Sequence, residues 1–317
     1  MSVQVGSNAT DHQSSDQYDD EIDLRELFSV LWVGKIKIIA ITIVFAVASV
    51  IYALSVPNQY KATALLAPAQ SDGGGISGAL GQMGGLASLA GISLGGGQSG
   101  EAQIAQEIMK SWSFIEGFIT ENNIALEVYA ADGWNRGSNT IKINSSAYDS
   151  EANEWLIKDE AGVIGPPSSW ALFKKFKDRL IVSEDKKSGL VSVSIEYYSP
   201  LIAKQWVDLY VESINQFMQQ RQVATVSRNI EYLQAQISKT SIAKMQEVFY
   251  SIIEEQTKNK MLADASPDYA FVVVGPSMVP EEKSQPKRAL ICILGTLLGG
   301  MLSVLLVLVM HYARKSD

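Results

Sequence analysis

Residues 189–237 read GLVSVSIEYYSPLIAKQWVDLYVESINQFMQQRQVATVSRNIEYLQAQI, and the change of period inside them decides the fold class. At the start, Val191, Val193, Ile195 and Tyr197 alternate with Ser192, Ser194 and Glu196. A period of two describes a strand with one buried face, so Gly189–Tyr197 is expected to be a strand. Ser199 and Pro200 then place a capping hydroxyl before a proline at the first helical position. No glycine or proline follows until Pro267, and Ala203, Val207, Tyr210, Ile214 and Phe217 recur at helical spacing. A strand that feeds a long helix predicts an α+β fold.

Downstream, the apolar seam changes phase. It runs through Val223, Val226, Ile230, Leu233 and Ile237, and then through Ile242, Met245, Phe249 and Ile252. The step from Ile237 to Ile242 breaks it, and Thr240 or Ser241 can cap a new helix there. The pattern predicts a helical hairpin over 199–266 with its tip near Ser238–Ser241. Its rising arm, Ser199–Ile237, would be about 60 Å long at the α-helical rise. One unbroken helix is the alternative, and the phase shifts argue against a perfect long coiled coil. Pro267 stops the helix, and Tyr269–Val274 (YAFVVV) reads as a strand returning to the sheet. Across 267–287 the prolines Pro276, Pro280 and Pro286 predict a stiff, extended connector.

Upstream, the region 59–198 is read as an α/β base. Gln59–Pro68 and Leu180–Ser183 read as strands, and Asp185–Gly189 as a turn. Ser168 and Ser169 can cap a helix over Trp170–Leu180 that carries Lys174, Lys175, Lys177 and Arg179. That basic cluster is a candidate contact for an anionic glycan or an acidic neighbouring subunit, and a solvated face is the plainer reading. Glu101–Asn122 reads as a single helix with Ile104, Ile108, Trp112, Ile115 and Ile119 along one face. The loop 71–100 holds twelve of the 24 glycines, interspersed with Leu, Ile and Met. It reads as a flexible segment with an apolar patch around Leu86–Ile92, suited to contact a neighbouring subunit or a membrane surface. No strand–GxGxxG–helix frame surrounds it, which argues against a dinucleotide site.

Both flanks of this block are apolar. Ile38–Tyr60 and Ala289–Met310 contain no charged residue, and each is long enough to cross a bilayer. On an insertion scale the aliphatic and aromatic residues contribute about −3 to −7 kcal/mol in the first window and about −4 to −8 kcal/mol in the second. The expected spans are 35–58 and 288–310. A cleaved signal peptide is the alternative for the first. It is disfavoured by the acidic stretch 1–34, since a signal peptide starts short and basic. Within 1–34, the spacing of Ile22, Leu24, Leu27, Phe28, Leu31 and Trp32 predicts an amphipathic helix before the span, following a polar tail. Gly295 and Gly299 form a GxxxG step with Gly300 beside it, a pattern that lets two helices approach closely in lipid. Lys35 and Lys37 before the first span, and Arg314 and Lys315 after the second, favour cytoplasmic ends, with 311–317 as a short tail. Lys283, Lys287 and Arg288 weigh the other way.

The composition excludes several kinds of chemistry. The chain has two histidines, His12 and His311, and one cysteine, Cys292, so the central block has neither His nor Cys for a triad or a zinc site. No GxxxxGK[ST] loop is present to cradle a nucleotide. The net charge of −8 argues against a nucleic-acid partner. No cofactor, metal or catalytic residue is expected.

The order of these features resembles the chain-length determinant family, the polysaccharide co-polymerases of bacterial lipopolysaccharide O-antigen and related glycans. The stretches that carry it are Glu21–Trp32 (EIDLRELFSVLW), Tyr60–Pro68 and Asp268–Leu290 (DYAFVVVGPSMVPEEKSQPKRAL). The spacing from Pro280 to Pro286 is wider than the family's pattern. Relatives with a cytoplasmic tyrosine kinase carry it after the second span. Here seven residues follow Met310, which resembles the kinase-free class. The resemblance implies an inner-membrane protein with both termini cytoplasmic and a periplasmic domain. In that domain a membrane-proximal α/β base bears a long helical hairpin. It also implies a homo-oligomeric ring with no chemistry of its own. Such a ring works with an integral-membrane polymerase to set glycan length, with direct polysaccharide contact possible. An export adaptor reaching an outer-membrane channel is the alternative.

Overall fold

A computed structural model describes residues 24–69, 99–158 and 162–315. The elements run α1 (Leu24–Val33), α2 (Lys35–Ser55), β1 (Tyr60–Pro68), α3 (Ser99–Met109), α4 (Trp112–Glu121) and α5 (Ala125–Tyr129). Three short pairs follow: β2 (Ala131–Asn135) with β3 (Thr140–Ile143), β4 (Tyr148–Asp149) with β5 (Glu154–Trp155), and β6 (Ile157–Lys158) with β7 (Ile164–Gly165). Then come α6 (Ser169–Lys177), β8 (Leu180–Glu184), β9 (Val191–Tyr197), α7 (Pro200–Ile237), α8 (Ala243–Asp264), β10 (Phe271–Gly275) and α9 (Arg288–Lys315). The contacts divide the chain into two compact units, Val56–Pro286 and a unit formed by the two ends, Met1–Ser55 with Lys287–Asp317.

The larger unit is built on an antiparallel sheet of order β10-β1-β9-β8. The period of two seen in sequence is the register seen here. Ala64 pairs with Val193 and Ala62 with Ile195, and all four are buried. Their strand neighbours Lys61 and Thr63 face out. The return strand β10 pairs with β1, not β9, so β1 lies inside the sheet with a strand on each side.

The buried face of the sheet packs against α7. Ser199 Oγ accepts from Ile202 N at 3.5 Å, and Pro200 occupies the first helical turn. Ala203, Trp206, Val207, Tyr210 and Ile214 face the core. Around Tyr210 an aromatic cluster forms: Phe118 lies edge-on at 4.8 Å, Phe176 at 5.5 Å, and Trp206 bridges Phe176 to Tyr197 at 5.9 and 4.4 Å. Edge-to-face and offset rings gain from their quadrupoles as well as from burial.

The region 101–122 is two helices, not one. Ser111 ends the first by donating to Ile108 O at 2.7 Å and caps the second by accepting from Phe114 N at 3.4 Å. The break turns the second helix, so the single stripe expected from spacing does not form. Ile115 and Ile119 are buried, whereas Ile104 and Trp112 are exposed. The small residues Ala102 and Ala105, with Met109, fill the core side of α3 instead.

The helical hairpin is present. The 38 residues of α7 span about 57 Å at the α-helical rise, and α8 packs back along it after Ser238–Ile242. The tip is capped differently from the expectation. The N-cap of α8 is Ile242, with no side-chain cap, and neither Thr240 nor Ser241 serves. Gln246 Nε2 donates to Thr240 O at 2.8 Å, satisfying a turn carbonyl from inside the helix. At the other end, Gln219 on α7 donates to the carbonyls of Ala263, Asp264 and Ser266, closing the C-terminus of α8.

In the smaller unit, α2 and α9 are each long and apolar enough to cross a membrane. Ile36, Ile39, Val44, Leu294, Leu297 and Leu305 project outward, an apolar surface that water would not favour. Helix α9 continues as helix through Lys315, so residues 311–315 are helical. The acidic tail before Leu24 and most of the glycine-rich loop 71–100 lie outside the described residues.

Candidate functional site

Three groups of residues singled out by sequence are placed by the fold, and each is satisfied differently. In the smaller unit, Gly295 and Gly299 face α2. A Cβ on Gly295 would collide with Ser49, and one on Gly299 with Phe45. A Cβ on Gly300 would lie 4.0 Å from Thr42 Oγ1 on α2, an ordinary contact with no clash. One turn on, the hydroxyls of Thr42 and Ser303 lie 3.4 Å apart across the two helices. At the other end, Arg288 Nε donates to Ala53 O at 3.0 Å. Small residues and hydroxyls thus hold two apolar helices in close contact, the packing that lipid rewards.

The proline segment is not a straight rod. It has no regular secondary structure and bends at Glu281–Glu282. Pro276 is exposed, Pro280 half-buried and Pro286 buried. Ser277 donates its hydroxyl to Asp208 on α7, itself paired with Lys204. Further on, Gln59 N donates to Gln285 O at 3.0 Å and Ser284 N donates to Gln59 O at 2.8 Å. The segment is therefore tied first to α7 and then to the residue that precedes β1. Beside Pro276, a cleft of about 410 Å³ opens between α7 and β10, with Asp208, Glu212, Asp264 and Asp268 around it. No group of three metal-binding side chains occurs among the described residues.

The basic residues on and after α6 do not act as one cluster. Ser168 caps the helix by accepting from Ala171 N at 3.2 Å. Lys174, Lys175 and Lys177 are exposed. Lys174 Nζ lies 5.9 Å from the Trp170 ring and Lys177 Nζ 5.2 Å from that of Phe173. Arg179 is half-buried and set apart from them. Its guanidinium lies 4.9 Å from Tyr197 and 5.2 Å from Tyr198, a cation over two aromatic faces. Tyr197 donates to Glu127 O at 2.9 Å. Its phenol is pushed well above the ordinary tyrosine value by burial, with Arg179 opposing and Glu127 reinforcing.

Trp112 and Trp170 were not singled out as surface residues by sequence, yet they meet beside these lysines. Trp112 sat on the stripe expected to be buried. The available signal was SWALFKKFK itself, where aromatics at 170, 173 and 176 interleave with lysines. Two of the three, Phe173 and Phe176, are buried, and Trp170 is left outside.

Comparison with known proteins finds one family model and several solved structures. A family model described as "Chain length determinant protein" matches residues 20–122. The chain is similar to a solved full-length bacterial polysaccharide co-polymerase at 15% identity, covering 94% of this chain and 99% of that one, with a TM-score of 0.38. It is similar to a fragment of WzzB, a polysaccharide co-polymerase from Salmonella Typhimurium, at 12% identity over 72% of this chain and 100% of that one, TM-score 0.29. It is also similar to a mutant Shigella flexneri lipopolysaccharide O-antigen chain-length regulator at 10% identity over 71% and 100%, TM-score 0.20. No curated protein matches the chain.

Proposed function

We propose that this chain, whose residues 20–122 match the chain length determinant family model, is a member of that family and sets the length of a surface polysaccharide as a non-enzymatic partner of a membrane polymerase. The observation that carries the reading is the content of that matched segment. It contains α1, the apolar helix α2, the inner strand β1 and the helix α4 that lines the core. The family's segment is thus the part of the chain that links one candidate span to the centre of the folded unit.

Two further features support it. Apolar helices near both ends of the chain fit a protein of a bacterial inner membrane, with both termini cytoplasmic and Val56–Pro286 periplasmic. The hairpin leaves Tyr232, Met245, Val248, Tyr250, Met261 and Leu262 exposed. No other described residue covers them, which favours a homo-oligomer. Within such an oligomer Gly295 and Gly299 hold the two spans of each copy together, and the proline segment fastens the return to the second span. No bond-making step is assigned to any residue.

The test is a deletion of the gene in its host, with the surface polysaccharide resolved by length on a gel. Loss of the preferred length is expected. Loss of all surface polysaccharide would favour an export adaptor, and an unchanged length distribution would remove the proposal.

A further inference from the structure

The surface at the start of α4 and along α6 carries an arrangement that length control by a hairpin oligomer does not call on. Trp112 is 47% exposed and Trp170 is 49% exposed, yet the two are held in a fixed geometry. Their rings cross edge to face at 5.4 Å. Trp112 Nε1 donates to Ser169 Oγ at 2.7 Å, which fixes its indole against the capped start of α6. Phe173 supports Trp170 from the core side, with ring centroids 5.1 Å apart. Lys174 and Lys177 stand at the rim, over Trp170 and Phe173 respectively.

What sets these two half-exposed indoles apart from other exposed apolar side chains is that they are adjacent and held in one geometry. Rigid aromatic side chains give contact area at a small cost in conformational entropy. The face of an indole is negative and attracts the weakly positive C–H face of a pyranose ring. An ammonium group beside the ring adds a charge-assisted contact to a carboxylate or phosphate.

We propose that Trp112 and Trp170, with Lys174 and Lys177 at their rim, form a docking platform for an acidic stretch of polysaccharide. The inference rests on the polysaccharide reading above and adds to it the residues that touch the glycan and the sign of the glycan's charge. Two half-exposed indoles set edge to face, with ammonium groups beside them, suit a sugar that presents an apolar face and an acidic substituent together.

The experiment uses the full chain in detergent, titrated with oligogalacturonate as the acidic probe and dextran oligomers as the neutral one. Binding is followed by calorimetry and tryptophan fluorescence. Oligogalacturonate is expected to bind, to weaken as salt is raised, and to bind about tenfold or more tightly than dextran. Trp170→Ala and Trp112→Ala are each expected to weaken it about tenfold or more. Trp170→Phe, which keeps an aromatic face, retains most of the affinity and controls for folding. The double variant Lys174→Gln, Lys177→Gln abolishes the preference for the acidic probe. Failure of the full chain to bind oligogalacturonate overturns the inference, as does equal binding by both alanine variants. If those variants instead dissociate the oligomer in the absence of glycan, the platform is an interface between copies, and the inference is again overturned. Each of these failures leaves the gene-deletion result intact, so the two readings fall separately.

Discussion

Asn215 shows how a single side chain on α7 can position a strand distant in sequence. Its Nδ2 donates to Phe271 O at 2.8 Å, and its Oδ1 accepts from Ala270 N at 3.0 Å and Phe271 N at 2.8 Å. The amide replaces the pairing those backbone groups lack where the chain enters β10. Asn215→Ala leaves the buried N–H and C=O of Phe271 without this partner, at about 1–3 kcal/mol for each group. A lowered denaturation midpoint of the full chain in detergent is expected, with Asn215→Asp recovering part of the loss because its oxygens can still accept from the two N–H groups. The core tyrosines set a pH limit of their own. Burial raises the phenol of Tyr210 well above the ordinary value of about 10 and pushes that of Tyr269 up to about 12, with Glu101 adding to the latter. Burial raises that of Tyr197 as well. Between pH 10 and these raised values the folded state holds protons that the unfolded state has released. Stability present below about pH 10 is therefore lost as pH rises. Circular dichroism against pH should show unfolding that begins above about pH 10. Tyr210→Phe should make that loss shallower while costing about 1 kcal/mol at neutral pH, because its hydroxyl donates to Met109 O.

At the scale of elements, the spans give the sharpest prediction. With Cys292 replaced by Ser, the pair Thr42→Cys and Ser303→Cys should form a disulfide readily in oxidised membranes, since the native hydroxyls lie 3.4 Å apart. Adding Gly299→Ala, whose Cβ meets Phe45, should suppress that crosslink, while Gly300→Ala, whose Cβ makes only an ordinary contact, should suppress it far less. An unaffected crosslink in the Gly299→Ala variant would mean that the glycines do not set the approach. What was legible in sequence follows the strength of local signals. The strand Val191–Tyr197, the Ser199-Pro200 start and the break after Ile237 are each written in a few adjacent residues and stand as read. The division at Ser111 was not legible, because its hydroxyl acts only once the chain has turned, and the run of isoleucines passes through it unbroken. The small pairs β2–β3 and β4–β5 were also missed. Their turns depend on Asn139 and Asn153 at positive φ, 51° and 56°, and carry no long alternating run. The Trp112–Trp170 pair needed two separate helices to be docked before it existed.

At the scale of the molecule, the composition reads as a division of labour. Among the described residues, the apolar side chains are shared among two helices able to span a membrane, a compact α+β core and the exposed seams of a hairpin. The charge follows the same division. Seven acids against one base fall within Met1–Gly34, so the central block is only mildly acidic. The central claim is tested most directly by re-expressing this chain from an inducible promoter in its own host after the gene has been deleted, and measuring the distribution of polysaccharide lengths at each level of induction. The account predicts that a preferred length, absent without the chain, appears and sharpens as the chain accumulates. A distribution that keeps the same shape at every level, while the chain is present in the membrane, would contradict it.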